Sequence, residues 1–231
     1  MLEVIWAGQV AYDVAWDWQK QLVAQRQASP ELPDVLLLLE HPHTYTLGRR
    51  GKRENLLWDG ATLAQKGVSV HHVDRGGDIT YHGPGQLVGY PILNLKRLGR
   101  PGLAHVRPYI HDIEEVLIQA IAAVGVNGRR FEGYTGVWVE EENDLTKIAA
   151  IGVRIHPQGI TSHGFALNVA TDLAYFGGII PCGIIDHGVT SVQKVTQRPY
   201  QTTDLIPHII QAFENIFHVK TELKEAVHAT R

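Results

Sequence analysis

Apolar and polar positions along the chain set out a run of elements. LEVIWAG (2–8) predicts a short strand, and Val10 to Gln27 carries apolar residues at three- and four-residue spacing, the period of an amphipathic helix, until SPELPD breaks it. DVLLLLEHP (34–42) is apolar at consecutive positions and predicts a buried strand. TYTLGRRGKREN (44–55) reads as a basic loop, Asp59 to Lys66 as a short helix, and VSVHHVD (68–74) as an alternating strand. A glycine-rich loop, RGGDITYHGPGQL (75–87), follows, and QLVGYPILNL (86–95) resumes an extended apolar pattern. His105 to Val124 has helical periodicity ending at Gly125. GVWVE (136–140), KIAAIGVRI (147–155) and GITSHGFALNV (159–169) predict three strands with tight connections. TDLAYF (171–176) predicts a turn, GIIPCGIIDHGVTSV (178–192) a glycine-punctuated segment, and Leu205 to Phe217 a final helix.

Strands cluster in runs, with helices before, between and after them, so the class is α+β with a mixed or antiparallel sheet rather than a regular βαβ array. No internal repeat interrupts this order, and residues 1–231 are expected to form one domain. With 44% hydrophobic and 19% charged residues the chain has the composition of an ordinary globular protein. Its net charge of −3 and pI of about 6.5 argue against a surface built to neutralise nucleic-acid phosphates. Glu3 and Asp13 stand where a signal peptide carries Lys or Arg, and the longest strongly apolar run is Val35 to Leu39, so a cytoplasmic protein that does not enter a membrane is expected.

The loop 75–87 holds four glycines, one proline, Arg75 and His82. It fits neither GxxxxGK[ST] nor GxGxxG, since Gly83, Gly85 and Gly89 are spaced one residue too widely and Pro84 lacks an N–H. A metal site from His71, His72 and His82 is disfavoured because adjacent residues of a strand point to opposite faces. Two readings stay open on the loop alone. The glycines serve positive-φ turns with His82 bonded to nearby backbone, or they form the bare floor of an apolar-ligand site with Tyr81 and Leu87 as walls.

Cys182 is the single cysteine, which excludes an internal disulfide and any multi-cysteine metal site. Between Pro181 and Gly183 it occupies a turn-prone setting, either as a packed thiol or as a nucleophile. Nucleophilic work needs the thiolate, and hence a cation or base nearby. Lys147, at the head of the otherwise apolar KIAAIGV, is one source; the alternative is a lysine reaching out to solvent. A unit pair at ~4 Å in an effective dielectric of ~20 interacts by about 4 kcal/mol, enough for roughly two to three pKa units.

RGGDITYHGPGQLVGYPILNL, KIAAIGVRI, SHGFALNV and PCGI, in this order, closely resemble the octanoyltransferases, also called lipoyl(octanoyl) transferases or lipoate biosynthesis protein B. The resemblance implies the fold of the biotin/lipoate protein ligase catalytic domain, an α+β mixed sheet flanked by helices. It implies transfer of an octanoyl group from acyl carrier protein to a lysine of lipoyl domains, those of 2-oxoacid dehydrogenase E2 subunits and of the glycine cleavage H protein. The donor is already a thioester, so no cofactor, ATP or metal is expected. The family's nucleophile falls on Cys182, and the lysine that tunes it falls on Lys147. Its acyl pocket falls on Arg75, Gly76, Gly77, Asp78, Ile79, Thr80, Tyr81 and His82, with Ala150, Ile151, Gly152, Gly164, Phe165 and Ala166. Asp78 occupies a position the family varies, and Phe165 stands where leucine is common. Backbone N–H groups near Gly183 and His82 are expected at the oxyanion. Arg49, Arg50, Lys52, Arg53, Arg129 and Arg130 are expected toward the acidic carrier or simply toward solvent. An ATP-dependent lipoate or biotin ligase, a lipoyl amidotransferase and a non-catalytic acyl-carrier binding module are the competing readings.

Overall fold

The computed structural model describes residues 1–99, 106–141, 144–180 and 187–224. Among these, eight strands form one mixed sheet. The first, β1 (Leu2–Gln9), runs parallel to β2 (Asp34–Glu40), and the crossover that a parallel pair requires is helix α1 (Tyr12–Ala28). Helix α1 buries Tyr12, Ala15, Gln19, Leu22, Val23 and Arg26, the three- and four-residue stripe seen in the sequence, and ends where Pro30 and Pro33 follow. Strand β6 (Gln86–Ile92) pairs antiparallel with β2, and β10 (Thr161–Asn168) with β6.

The unbroken Val35 to Leu39 run is explained by burial on both sides. Leu36 and Leu38 pack toward helices α3 (Val106–Ala122) and α5 (Thr202–Phe217), whereas Val35, Leu37 and Leu39 pack with Ala15, Leu22 and Val23 of α1. Each such leucine contributes about 1.5–3 kcal/mol of burial. Helix α5 begins at Thr202, three residues earlier than its apolar period predicts, because the Asp204 carboxylate accepts from Gln201 N (2.8 Å) and caps the first turn.

Beyond β10 the sheet continues antiparallel through β9 (Asp144–Ile155) to β8 (Tyr134–Glu141) and β7 (Gly128–Phe131). At the other edge β11 (Thr221–Lys224) lies parallel to β1. Both edge strands are four residues long and carry too few apolar positions to stand out from loop.

A second sheet sits against this layer: β3 (Thr44–Leu47) lies between β4 (Ser69–His72) and β5 (Ile79–His82), with helix α2 (Gly60–Gln65) linking β3 to β4. Its core holds Tyr45, Leu47, Leu56, Leu63, Val68, Ile79, Tyr81 and Ile179, with the 3-10 turn Leu173–Gly178 packed against it. Segments 44–55 and 75–87, expected as loops, therefore each contribute a strand. Four-residue strands flanked by glycine and charge are too short for period-2 alternation to show. Helix α4 (Val192–Thr196) was likewise not legible at five residues. The helix expected at His105 to Val124 spans Val106–Ala122; His105 itself is outside the described residues. Among the described residues no helix is long and apolar enough to cross a membrane.

Candidate active site

The site forms where the two sheets meet. Strands β9 and β10 present two tripeptides in register, with Gly152 opposite Gly164, Ile151 opposite Phe165 and Ala150 opposite Ala166. The loop before β5 lies across them, tied by the bond from Gly76 N to Val153 O (3.0 Å). Gly152 has no side chain for a steric reason: a Cβ there would meet Arg75 Cδ at 3.0 Å and Gly76 O at 3.1 Å.

Between these elements runs a narrow, mostly apolar cleft. Its walls are the two tripeptides together with Arg75, Gly77, Thr80 and His82. Tyr12, Tyr90 and His163 complete the lining. Sequence reasoning missed these three: His163 stands inside the SHGFALN motif, but Tyr12 at the start of α1 carries no local signal.

Strand alternation divides the run 79–82 between two environments. Thr80 and His82 face the cleft, while Ile79 and Tyr81 face the small-sheet core. Leu87 packs toward α3 and α5, so neither Tyr81 nor Leu87 is the wall it was expected to be. The loop glycines divide similarly. Gly83, Pro84, Gly85 and Gln86 make a turn closed by Gln86 N to Gly83 O (3.1 Å), with φ +77° at Gly85, the type II pattern. Gly77, at φ +91°, is the loop glycine that borders the cleft.

A hydrogen-bonded chain backs the cleft. The buried Arg75 guanidinium donates from Nη2 to Thr46 O (2.7 Å) and Oγ1 (2.8 Å). The Thr46 hydroxyl then donates toward His82 Nε2 (3.4 Å). His82 Nδ1–H donates to Gln86 Oε1 (2.9 Å), which sets its tautomer and occupies both ring nitrogens. Gln86 Nε2 donates to Tyr81 O (3.1 Å) and Asn168 Oδ1 (2.9 Å), and Asn168 Nδ2 to Thr190 O (3.0 Å). Thr190 N in turn donates to Lys147 O (2.9 Å).

These histidines are neutral. Burial holds His82 well below the usual imidazole range, and His41 and Arg75 nearby act the same way. His163 adopts the left-handed backbone at φ 56° and donates from Nε2 to Asp74 Oδ1 (2.7 Å). The other Asp74 oxygen is paired with Arg154, so that charge is already matched. Burial first, then the Arg75 and Arg154 guanidinia and Lys20, push His163 down to about 3.

Lys147 reaches the cavity adjoining the cleft because β9 is bulged. Val137 pairs with Ala149 but Trp138 with Lys147, so Ile148 is an extra residue. Ala149 and Ile148 both face the α3/α5 core, and Lys147 is thereby turned to the side of Ala150. Lys147 and Ala150 line a small cavity with Thr80, Gln86, Phe176 and Val189. The Lys147 Nζ lies 4.6 Å from the centroid of the buried Trp138 ring. Its main chain pairs with the strand stem after residue 186, through Lys147 N to Gly188 O (2.9 Å) and the Thr190 bond. Cys182 and Gly183 are outside the described residues.

An outer cleft shares Gly77, Ala150, Ile151 and Gly152 with the inner one and is bordered by Arg50, Tyr134 and Lys147. Three other members of the basic set pair with carboxylates. Arg130 bonds Glu114 (3.2 Å) and Glu115 (2.8 Å), Arg129 pairs with Glu140 (3.3 Å), and Lys52 pairs with Glu54 (3.3 Å).

The family model of the lipoyl protein ligase A/B catalytic domain matches residues 11–214. The octanoyltransferase of Chloroflexus aurantiacus is 48% identical over 191 residues, 83% of this chain and 82% of its own. That of Rubrobacter xylanophilus is 46% identical over 210 residues, 90% of each chain. Among solved structures, one describing an archaeal lipoylation system, a bi-partite lipoate protein ligase and its E2 lipoyl domain from Thermoplasma acidophilum, is similar with a TM-score of 0.73. That match covers 98% of this chain and 87% of the other at 13% identity, a likeness of fold alone.

Proposed function

The chain belongs to the octanoyltransferases of the lipoyl protein ligase A/B catalytic-domain family, and from that premise we propose that it moves an octanoyl group from acyl carrier protein to lipoyl-domain lysines through a thioester on Cys182. The observation that carries this reading is the double use of Lys147. Its side chain lines the cavity adjoining the acyl cleft, and its main chain holds the stem that leads back to residue 182.

The chemistry balances in two steps. The Cys182 thiolate attacks the octanoyl thioester carbonyl, a new C–S bond forms, and the pantetheine C–S bond breaks, its sulfur leaving as the thiol once protonated. The neutral ε-amine of the acceptor lysine then attacks the acyl-enzyme. A C–N bond forms, the Cys182 C–S bond breaks, and the amine proton passes to the departing sulfur. Lys147 supplies either the cation that favours the thiolate or the base that takes the proton. The octanoyl tail lies between Ala150–Gly152 and Gly164–Ala166, with Arg75, Thr80 and His82 at the wall. The donor is already activated, so this route requires neither ATP nor a metal.

Arg50, at the rim of the outer cleft, is suited to the acidic carrier, and the acceptors are the lipoyl domains of 2-oxoacid dehydrogenase E2 subunits and the glycine cleavage H protein. The test is intact mass after exposure to octanoyl-acyl carrier protein, with octanoate plus ATP as the comparison arm. A thioester-labile octanoyl increment from the carrier, lost in Cys182→Ser, is the expected result. Transfer by Cys182→Ser at the wild-type rate, or acylation only with octanoate and ATP, would overturn the thioester route.

A further inference from the structure

Asp78 lies within the run aligned with the acyl pocket, yet its carboxylate is engaged elsewhere. Oδ1 accepts from Ile79 N (2.7 Å) and Lys52 N (3.1 Å), and Oδ2 accepts from Asn55 Nδ2 (2.5 Å). Asn55 is buried although Lys52, Arg53 and Glu54 before it are exposed. The main chain of the same turn holds the stretch just ahead of Pro181. Asn55 O accepts from Ile180 N (2.8 Å), Leu57 N donates to Gly178 O (2.8 Å), and Leu56 bridges Ile179. Residues 178–180 are thus held on the Asp78–Asn55 turn, and residues 188–190 on the main chain of Lys147.

We infer that Asp78 and Asn55 are positioning residues for the transfer reaction, a clamp that fixes where residues 178–180 stand and so where the chain enters the cysteine-bearing segment. The inference rests on the proposed role of Cys182. The coupling is short along the chain, because only Pro181 stands between Ile180 and Cys182. The clamp also has a fixed polarity. A carboxylate only accepts, and both its oxygens meet donors here. In Asp78→Asn one amide oxygen still serves Lys52 N and Ile79 N, but an NH2 group is set against the Asn55 NH2. Combining Asp78→Asn with Asn55→Asp restores that bond with donor and acceptor exchanged.

Cys182 is the single cysteine, so iodoacetamide alkylation reads its position and ionisation without ambiguity. Rates are measured against pH, well below the thermal midpoint, for the wild type, Asp78→Asn, the exchanged pair, and each of these with Lys147→Ala. Asp78→Asn is expected to slow alkylation at neutral pH by about tenfold and to move its profile to higher pH, a misplacement of about 1 Å costing up to ~100-fold at a reacting centre. The exchanged pair is expected to recover to within about twofold, and with Lys147→Ala the Asp78→Asn effect is expected to vanish, because both substitutions are read through the same thiol. A folded Asp78→Asn with an unchanged or faster rate overturns the clamp, as does an exchanged pair that regains its thermal midpoint without regaining alkylation. Should Asp78→Asn not fold, Asn55→Ala, which leaves the carboxylate in place, takes its part. Acylation is followed separately by mass: a wild type that takes no octanoyl group refutes the reading of Cys182, whereas the alkylation comparison judges the clamp.

Discussion

Lowering the pH from 7.5 to 5.0 is expected to destabilise the fold by several kcal/mol, because its buried histidines refuse a proton that the unfolded chain accepts. His41 donates from Nδ1 to Val10 O and accepts at Nε2 from Tyr90 OH, each at 2.7 Å. Its burial, with His71 nearby, lowers it to about 4. His163 stands at about 3 for the reasons given above. In the unfolded chain both titrate near ~6.5. Between that value and the folded ones the unfolded state binds more protons. The stability is therefore complete above about pH 6.5 and is lost as the pH falls toward 4 and 3. From pH 6.5 to 5.0 each histidine loses about 2 kcal/mol at ~1.4 kcal/mol per pH unit, so the pair loses about 4 kcal/mol. His82, depressed in the same direction, adds to this. Against a typical total of about 5–15 kcal/mol the loss is large. In urea, with a slope of about 3 kcal/mol/M for a chain of this size, the midpoint falls by more than about 1 M at constant ionic strength. His163→Asn, whose side chain tolerates the left-handed backbone, is expected to show a shallower dependence by about one histidine's share. A wild-type midpoint that moves by less than about 0.3 M between the two pH values would refute the assignment of neutral, buried imidazoles, given the slope cited above.

Two further outcomes follow from the site geometry. Lys147→Ala is expected to raise the pH midpoint of Cys182 alkylation by up to roughly two to three units, the worth of a unit charge at close range; an unmoved midpoint removes Lys147 as the activating cation. Gly152→Ala puts a methyl within 3.0 Å of Arg75 Cδ and 3.1 Å of Gly76 O, which must shift. About 1–3 kcal/mol of overpacking is expected, along with octanoyl transfer reduced more than that of a butanoyl group, and equal loss for both acyl lengths in a transfer assay would place the acyl tail elsewhere.

The long elements were legible from local pattern. Helices α1, α3 and α5 carry several turns of one-sided apolar spacing, and β2, β6, β9 and β10 carry runs long enough to stand clear of loop. The α+β class and the order of motifs follow from those elements. Strands β3, β5, β7 and β11 were not legible, since four residues hold at most two alternations and their stability comes from partners distant in sequence.

For the site, the sequence by itself determined which residue types were present: a single thiol, a lysine heading an apolar strand, and two glycine-bearing tripeptides. Which way they face was a tertiary matter. Strict alternation along KIAAIGVRI puts Lys147 on the side of Ala149, toward the core. Only the extra residue Ile148, visible in the pairing of β9 with β8, turns it to the adjoining cavity beside Ala150. Asp78 likewise read as a variable position in a pocket motif, and its bonds to Lys52 and Asn55 span more than twenty residues. A bulge and a long-range carboxylate clamp are properties of pairing between segments, and the hydrophobic period of any one segment carries no trace of them.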